Sequence, residues 1–119
     1  MLVSEIMKIV NATLLTKDLP GQRDISHAFS ADMMSDVLAY ADSHMLLITG
    51  LSNPQTIRTA EMLDISCVLY VRGKKPDELS LAMAKRNGIT VLCSNLSMFD
   101  ACGLLYQAGI RGGIINNGE

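Results

Sequence analysis

Between Met45 and Ile110 the sequence reads three times as a short apolar run, a turn and a helix. The first unit is MLLITG, LSN and PQTIRTAEMLD. The second is CVLYV, RGKK and PDELSLAMAKRNG, and the third is TVLC, SNLS and MFDACGLLYQAG. Apolar runs without polar alternation suit strands covered on both faces, as in a parallel sheet. Each helix must cross back over the sheet for the next strand to run parallel to the last. Pro54 and Pro76 hold matching places 22 positions apart, and Ile65, Ile89 and Ile110 close the units at intervals of 24 and 21. The register predicts parallel central strands over 45–49, 67–71 and 90–93.

The first half adds the outer elements. Leu2, Ile6, Ile9 and Val10 recur at helical spacing, so a short helix is expected through about Val10, with Ser4 as its cap, Glu5 in its first turn and Asn11 as its break. Ala12 to Leu15 reads as a strand, and Asp18, Pro20 and Gly21 as a turn. Ile25 to Phe29 reads as a second strand. The next helix carries Met34, Val37, Leu38 and Ala41 on one face, with Asp32 or Ser35 as its N-cap. Asn53-Pro54 and Asn95 or Ser97 start later helices, while Asn87-Gly88 and Gly109 stop them. Arg111 to Glu119 is rich in Gly and Asn, and its GGII has the composition of a short edge strand. The expectation is one α/β domain over 1–119: a mostly parallel sheet of about five strands with helices on both faces.

Composition narrows the function classes. A domain of 119 residues buries roughly two-thirds of its unfolded surface, enough for a core without staples. A net charge of −2 argues against nucleic acid, which selects basic faces. No apolar run approaches the roughly 20 residues that span a bilayer. Glu5 and Lys8 interrupt the apolar N-terminus, which is therefore not read as a signal peptide. Cys67, Cys93 and Cys102 are scattered and odd in number, which suits a reducing cytoplasm. They lack metal-ligand spacing, and a cluster normally takes four thiolates, so no metal or cofactor is expected. Hydrophobic residues reach 49% with eight Met and no Trp, more apolar side chain than a small monomer comfortably covers. The expected outlet is a homodimer on the helix around Met33 to Tyr40, two-fold symmetric like most soluble homo-oligomers.

In an open parallel sheet, ligands bind outside the carboxyl ends of the strands. Those ends are Thr49-Gly50, Val71-Arg72-Gly73 and Cys93-Ser94-Asn95, each leading into a helix start with free N–H groups. The candidate ligand-binding residues are Thr49, Gly50, Asn53, Arg72, Gly73, Lys74, Ser94 and Asn95. The competing reading is that these are ordinary βα turns, with Gly for geometry. Arg72, Lys74 and Lys75 flank the helix expected to start at Pro76 and form the basic cluster that could hold an anion, although Asp77 and Glu78 follow at once. Gly50 to Gln55 lacks the ending of a P-loop. His27 and His44 have no nucleophile to partner, so no catalytic residue is assigned.

The segments MSDVLAYADSHMLLITG, NPQTIRTAEML, RGKKPDEL and ITVLCSNLSMFDACGLL together resemble the DRTGG domain over nearly the whole chain, although the literal five-residue string is absent. The resemblance implies a compact α/β domain similar to the N-terminal domain of bacterial HPr kinase/phosphorylase. Such domains accompany phosphotransacetylases and CBS-containing pyrophosphatases in regulatory or dimer-forming roles, without carrying the active site. Stand-alone copies occur in anaerobic bacteria, some associated with iron-only hydrogenase genes. The reading reached is a non-catalytic, homodimeric regulatory or interaction module, sensing a small anionic or nucleotide-like ligand at the strand ends. The alternatives are an accessory protein of an iron-hydrogenase or redox system with a partner enzyme, using Cys93, and a small-molecule transferase.

Overall fold

The computed structural model describes residues 1–17 and 24–113. Ten elements alternate: α1 (Val3–Ile9), β1 (Thr13–Leu14), β2 (His27–Ser30), α2 (Met34–Tyr40), β3 (Met45–Thr49), α3 (Pro54–Met62), β4 (Cys67–Tyr70), α4 (Glu78–Arg86), β5 (Thr90–Cys93) and α5 (Met98–Gln107). The sheet order is β1-β5-β4-β3-β2. Strands β2 to β5 pair in parallel, and β1 lies antiparallel on β5. The expected fold class and the parallel central strands are therefore what the molecule has.

Every residue of β3, β4 and β5 is buried. Side chains alternate between two cores. Leu46, Ile48, Cys67, Leu69, Val71 and Leu92 pack against Val3 and Ile6 of α1 and Ala101 and Leu105 of α5. Leu47, Val68, Tyr70, Val91 and Cys93 pack against Met34 and Val37 of α2, Ile57 and Ala60 of α3, and Met83 and Ala84 of α4. Helices α2, α3 and α4 thus share one face, and α1 and α5 cover the other.

The three isoleucines that close the units do one physical job. The N–H groups of Ile65, Ile89 and Ile110 donate to the carbonyls of Ala60, Ala84 and Leu105, five residues back, at 2.8, 2.9 and 3.0 Å. Helix α1 ends likewise, with the Ala12 N–H on the Met7 carbonyl at 2.8 Å. This is the Schellman ending, which needs a left-handed residue just before the donor. Asn11 (φ 50°), Asp64 (57°), Gly88 (69°) and Gly109 (117°) fill that place. The buried isoleucine then pins the helix end under the core.

Several boundaries differ from expectation, each for a local reason. Helix α1 starts at Val3, and Glu5 rather than Ser4 closes its entry, accepting from the Leu2 N–H at 3.0 Å. Strand β1 is Thr13–Leu14 rather than Ala12 to Leu15, because Ala12 is consumed by the Schellman ending. Strand β2 runs to Ser30. Neither Asp32 nor Ser35 caps α2, whose N-cap is Met33 with no side-chain bond. Helix α4 does not start at Pro76: Asp77 is the N-cap, accepting from the Ser80 N–H at 2.8 Å, and Pro76 lies before it. Pro54, in contrast, is the first residue of α3 behind the Asn53 cap. Ser97, not Asn95, caps α5. The turn expected at Asp18, Pro20 and Gly21 and the isoleucines of GGII lie outside the described residues.

Asp64 is the non-glycine residue at a position its two counterparts in the repeat give to glycine. A left-handed L-residue costs about 1–2 kcal/mol, less for Asp, and glycine relieves it at some cost in unfolded-state entropy. Asp64→Gly is expected to stabilise by about 0.5 kcal/mol, a Tm rise of about 2 °C, and Gly88→Ala to destabilise by about 1 kcal/mol. Thermal melts of both variants check the assignment; a stabilised Gly88→Ala would contradict it.

Candidate functional site

The register brings the strand ends into line. Thr49 pairs with Tyr70, Tyr70 with Cys93, and Cys93 with Thr13 on the antiparallel side. The residues just past these ends form a crest along the top of the sheet.

On one side the crest is knitted together by Asp32, two residues beyond β2. Its Oδ1 accepts from the Gly50 N–H at 2.7 Å and from the Thr49 hydroxyl at 3.3 Å. Its Oδ2 accepts from the Arg72 guanidinium at 3.0 Å. A Cβ on Gly50 would stand 2.0 Å from a guanidinium nitrogen, so Arg72 lies directly on glycine backbone. Arg72 itself is left-handed (φ 60°), held by its N–H on the Leu96 carbonyl at 2.8 Å. The Gly50 N–H, first, and Arg72 hold the Asp32 carboxyl below its ordinary range, against an opposing contribution from burial. Both ends of the ion pair are about half exposed, so the charge pair alone contributes modestly.

On the other side the crest is organised by Ser94, which is buried. Its hydroxyl donates to the Val10 carbonyl at 2.7 Å and accepts from the Leu96 N–H at 3.2 Å. Its carbonyl accepts from the Gly73 N–H at 3.0 Å, and its own N–H donates to the Tyr70 carbonyl at 2.9 Å. One serine thus ties together the end of α1, the β4–α4 loop and the β5–α5 turn. Between these three segments lies a pocket of 150 Å³ lined by Asn11, Thr13, Leu15, Gly73, Lys75, Cys93 and Asn95. It lies where the chain leaves β4 toward one face (α4) and β5 toward the other (α5). A divergence of that kind opens the crevice in which α/β sheets hold ligands. Burial pushes the Cys93 thiol up, with Lys75 opposing.

The eight residues expected to bind a ligand all lie on the crest, but in different employment. Thr49 is buried, donating to Asp32 and accepting from the Leu51 N–H at 3.1 Å. Gly50 lies under Arg72. Asn53 caps α3, accepting from the Gln55 N–H at 3.0 Å. Arg72 is paired with Asp32. Ser94 is spent on backbone groups. Gly73 and Asn95 line the pocket, and Lys74 is exposed beside it. The α4 N-terminus is occupied by the Asp77 carboxylate, whose bond from the Ser80 N–H, foremost, holds its carboxyl below the usual range. Asp32 was missed because capping accounted for it. Its signal was positional: Asp32, Arg72 and Asn95 each stand two residues beyond a parallel strand.

His27 and His44 begin or precede strands at the opposite end of the sheet; His27 meets the Ser26 hydroxyl at 2.9 Å, and His44 is exposed. The three cysteines form no disulfide. Among the described residues no group of three or more His, Cys, Asp or Glu is placed to hold a metal ion, and no helix is long and apolar enough to cross a membrane. Tyr70 Oη, Ser80 Oγ and Thr90 Oγ1 are buried without a hydrogen-bond partner among the described residues. Burial first, then the neighbouring Cys93 and Asp77, pushes the Tyr70 phenol up.

The family model of the DRTGG domain matches residues 5–108. The chain belongs to the DRTGG domain family. No curated protein matches it. Among solved structures it is similar to the CBS and DRTGG domains of the regulatory region of Clostridium perfringens pyrophosphatase, complexed with its activator diadenosine tetraphosphate. The match has a TM-score of 0.71 at 18% identity, and covers 98% of this chain and 51% of that one. This DRTGG domain thus spans about half the length of that regulatory region, and the likeness is one of fold.

Removing the Asp32 carboxylate strands the Gly50 N–H and frees Arg72. Asp32→Ala is expected to cost about 1–2 kcal/mol, at the low end for a charged hydrogen bond because the site is half exposed. Asp32→Asn keeps an acceptor for Gly50 and should cost less. The folded carboxyl titrates below its unfolded value of about 3.9, so its stabilisation is complete above that pH and is lost as pH falls through the folded value. Denaturant titrations at pH 7 and pH 3 should show the gap between wild type and Asp32→Asn narrowing in acid; an unchanged gap would count against the clasp.

Proposed function

We propose that this DRTGG domain is a non-catalytic regulatory module of the cytoplasm, that it pairs into a two-fold homodimer, and that it senses a small anionic, nucleotide-like ligand at the carboxyl ends of its parallel strands. The observation that carries the reading is the crevice between the ends of β4 and β5, where α4 and α5 diverge. Thr49, Gly50, Asn53, Arg72, Gly73, Lys74, Ser94 and Asn95 form or support that face. The side chains of Lys74 and Asn95 make no hydrogen bond to any described residue and remain available to a ligand. The related pyrophosphatase region is complexed with a dinucleotide activator, which makes nucleotides the first class to test. A non-catalytic role is supported by both histidines lying at the far end of the sheet, away from this crest.

Dimerisation is supported by α2. Met34 and Val37 are buried on the sheet, while Met33 (63% exposed), Leu38 and Tyr40 (50%) face outward. The Tyr40 ring lies 6.4 Å from Phe29, which widens the apolar surface. A two-fold pair would bring this face onto its own copy, and a stable contact should bury more than roughly 1,000 Å² in total.

Two measurements test these readings. Ligand saturating the native state at about 100 times Kd stabilises it by about 2.7 kcal/mol. A thermal-shift screen of mono- and dinucleotides and phosphorylated metabolites should therefore raise Tm by several degrees for at least one compound; a flat screen at millimolar concentration would remove ligand sensing. Sedimentation at micromolar concentration should give twice the 12.9 kDa chain mass, and Met33→Glu with Tyr40→Glu should give the monomer. A monomeric wild type ends the dimer reading, and a dimer indifferent to both charges moves the interface, with Phe99 of α5 (85% exposed) the next surface to test.

A further inference from the structure

The crest contains two kinds of cation. Arg72 is committed to Asp32. Lys75 makes no ion pair among the described residues, and it lines the pocket between β5, the α1–β1 corner and the β4–α4 loop. Asn11 and Asn95 line the same pocket, and neither carboxamide has a hydrogen bond to a described residue. Among the described residues no carboxylate lines it, and the nearby Asp77 carboxylate is turned onto its own helix start. The walls are tied to one another through Ser94 and through the pairing of Thr13 with Cys93, so the pocket exists before any ligand arrives.

Resting on the anion-sensing reading above, we propose that this pocket receives a phosphoryl group of the ligand, with Lys75 as the counter-charge and Asn11 and Asn95 as neutral donors. An ammonium is a point charge suited to a phosphoryl oxygen, and the carboxamides supply N–H groups without adding charge. At 150 Å³ the pocket is well below the roughly 300 Å³ at which sites for drug-sized ligands begin. It takes the headgroup, and the rest of the ligand stays outside. Asn11 belongs to the α1–β1 corner and Lys75 to the β4–α4 loop, so a bound phosphoryl group bridges two segments that only the fold brings together. None of these three residues is part of the Asp32–Arg72 clasp.

Cys93 in the pocket wall gives a direct readout. In a Cys102→Ser background, with Cys67 fully buried, the rate at which a thiol reagent labels Cys93 reports on pocket occupancy. Inorganic phosphate and ATP should slow labelling in a saturable, salt-sensitive way, while acetate at equal ionic strength should not. Lys75→Ala and Asn95→Ala, both at exposed positions, should each weaken protection by about tenfold or more, with Lys75→Arg partly restoring it. Wild-type affinity in Lys75→Ala overturns the pocket while leaving nucleotide sensing in place elsewhere on the crest. Protection by acetate as good as by phosphate overturns the phosphoryl assignment. Failure of phosphate and of every nucleotide to bind wild type, by labelling and by thermal shift, overturns both readings together.

Discussion

Strands β3, β4 and β5 are buried on both faces, and a strand in that position leaves the chain little choice. Parallel pairing among them requires helical crossover connections, and both faces must be covered. Helices α2, α3 and α4 cover one face as consecutive crossovers. The other is left for the terminal helices α1 and α5. The repeated Schellman endings serve the same requirement. In the three repeat units each turns the chain at the foot of the sheet and returns it through a buried isoleucine, while the ending of α1 turns it at the crest into the antiparallel β1.

The top of the sheet is where these constraints produce something specific. Connections that leave β2, β3 and β4 toward one face hold their loops side by side, and there Asp32, Gly50 and Arg72 close into a clasp. At β5 the connection goes to the opposite face, so the β4–α4 loop and the β5–α5 turn separate and a pocket opens between them. The clasp and the pocket are thus consequences of one topological fact. On the clasped side polar groups satisfy one another; on the divergent side Lys75, Asn11 and Asn95 are left with capacity to spare.

This division explains how the residues of the crest are used. The buried Ser94 hydroxyl is occupied by Val10 and Leu96, as a buried polar group must be. Thr49 is taken in the same way. Groups that hold the loops in place have little left for a ligand. Those that protrude from the loops, such as Lys74, Lys75 and Asn95, contribute almost nothing to the fold.

Periodicity and composition sufficed for the parallel strands, the order of the helices and their stops at Asn87-Gly88 and Gly109, because these depend on local backbone preference and on burying apolar faces. Both are properties of neighbours in the chain. The strand ends were likewise legible as the top of the sheet, where the clasp and the pocket lie. The roles of Asp32, Pro76 and Ser94 were not. A cap reading of Asp32 is sound as local chemistry, but the Gly50 N–H and the Arg72 guanidinium, 18 and 40 positions away, are stronger partners than a helix start, and only strand pairing brings them to 2.7 and 3.0 Å. Pro76 matched Pro54 in spacing, yet Asp77 took the cap because its carboxylate accepts the Ser80 N–H. The pocket joins Asn11 to Asn95 across the chain because β1 inserts antiparallel beside β5. No run of residues encodes that neighbourhood: it exists only once the sheet has brought its two ends together.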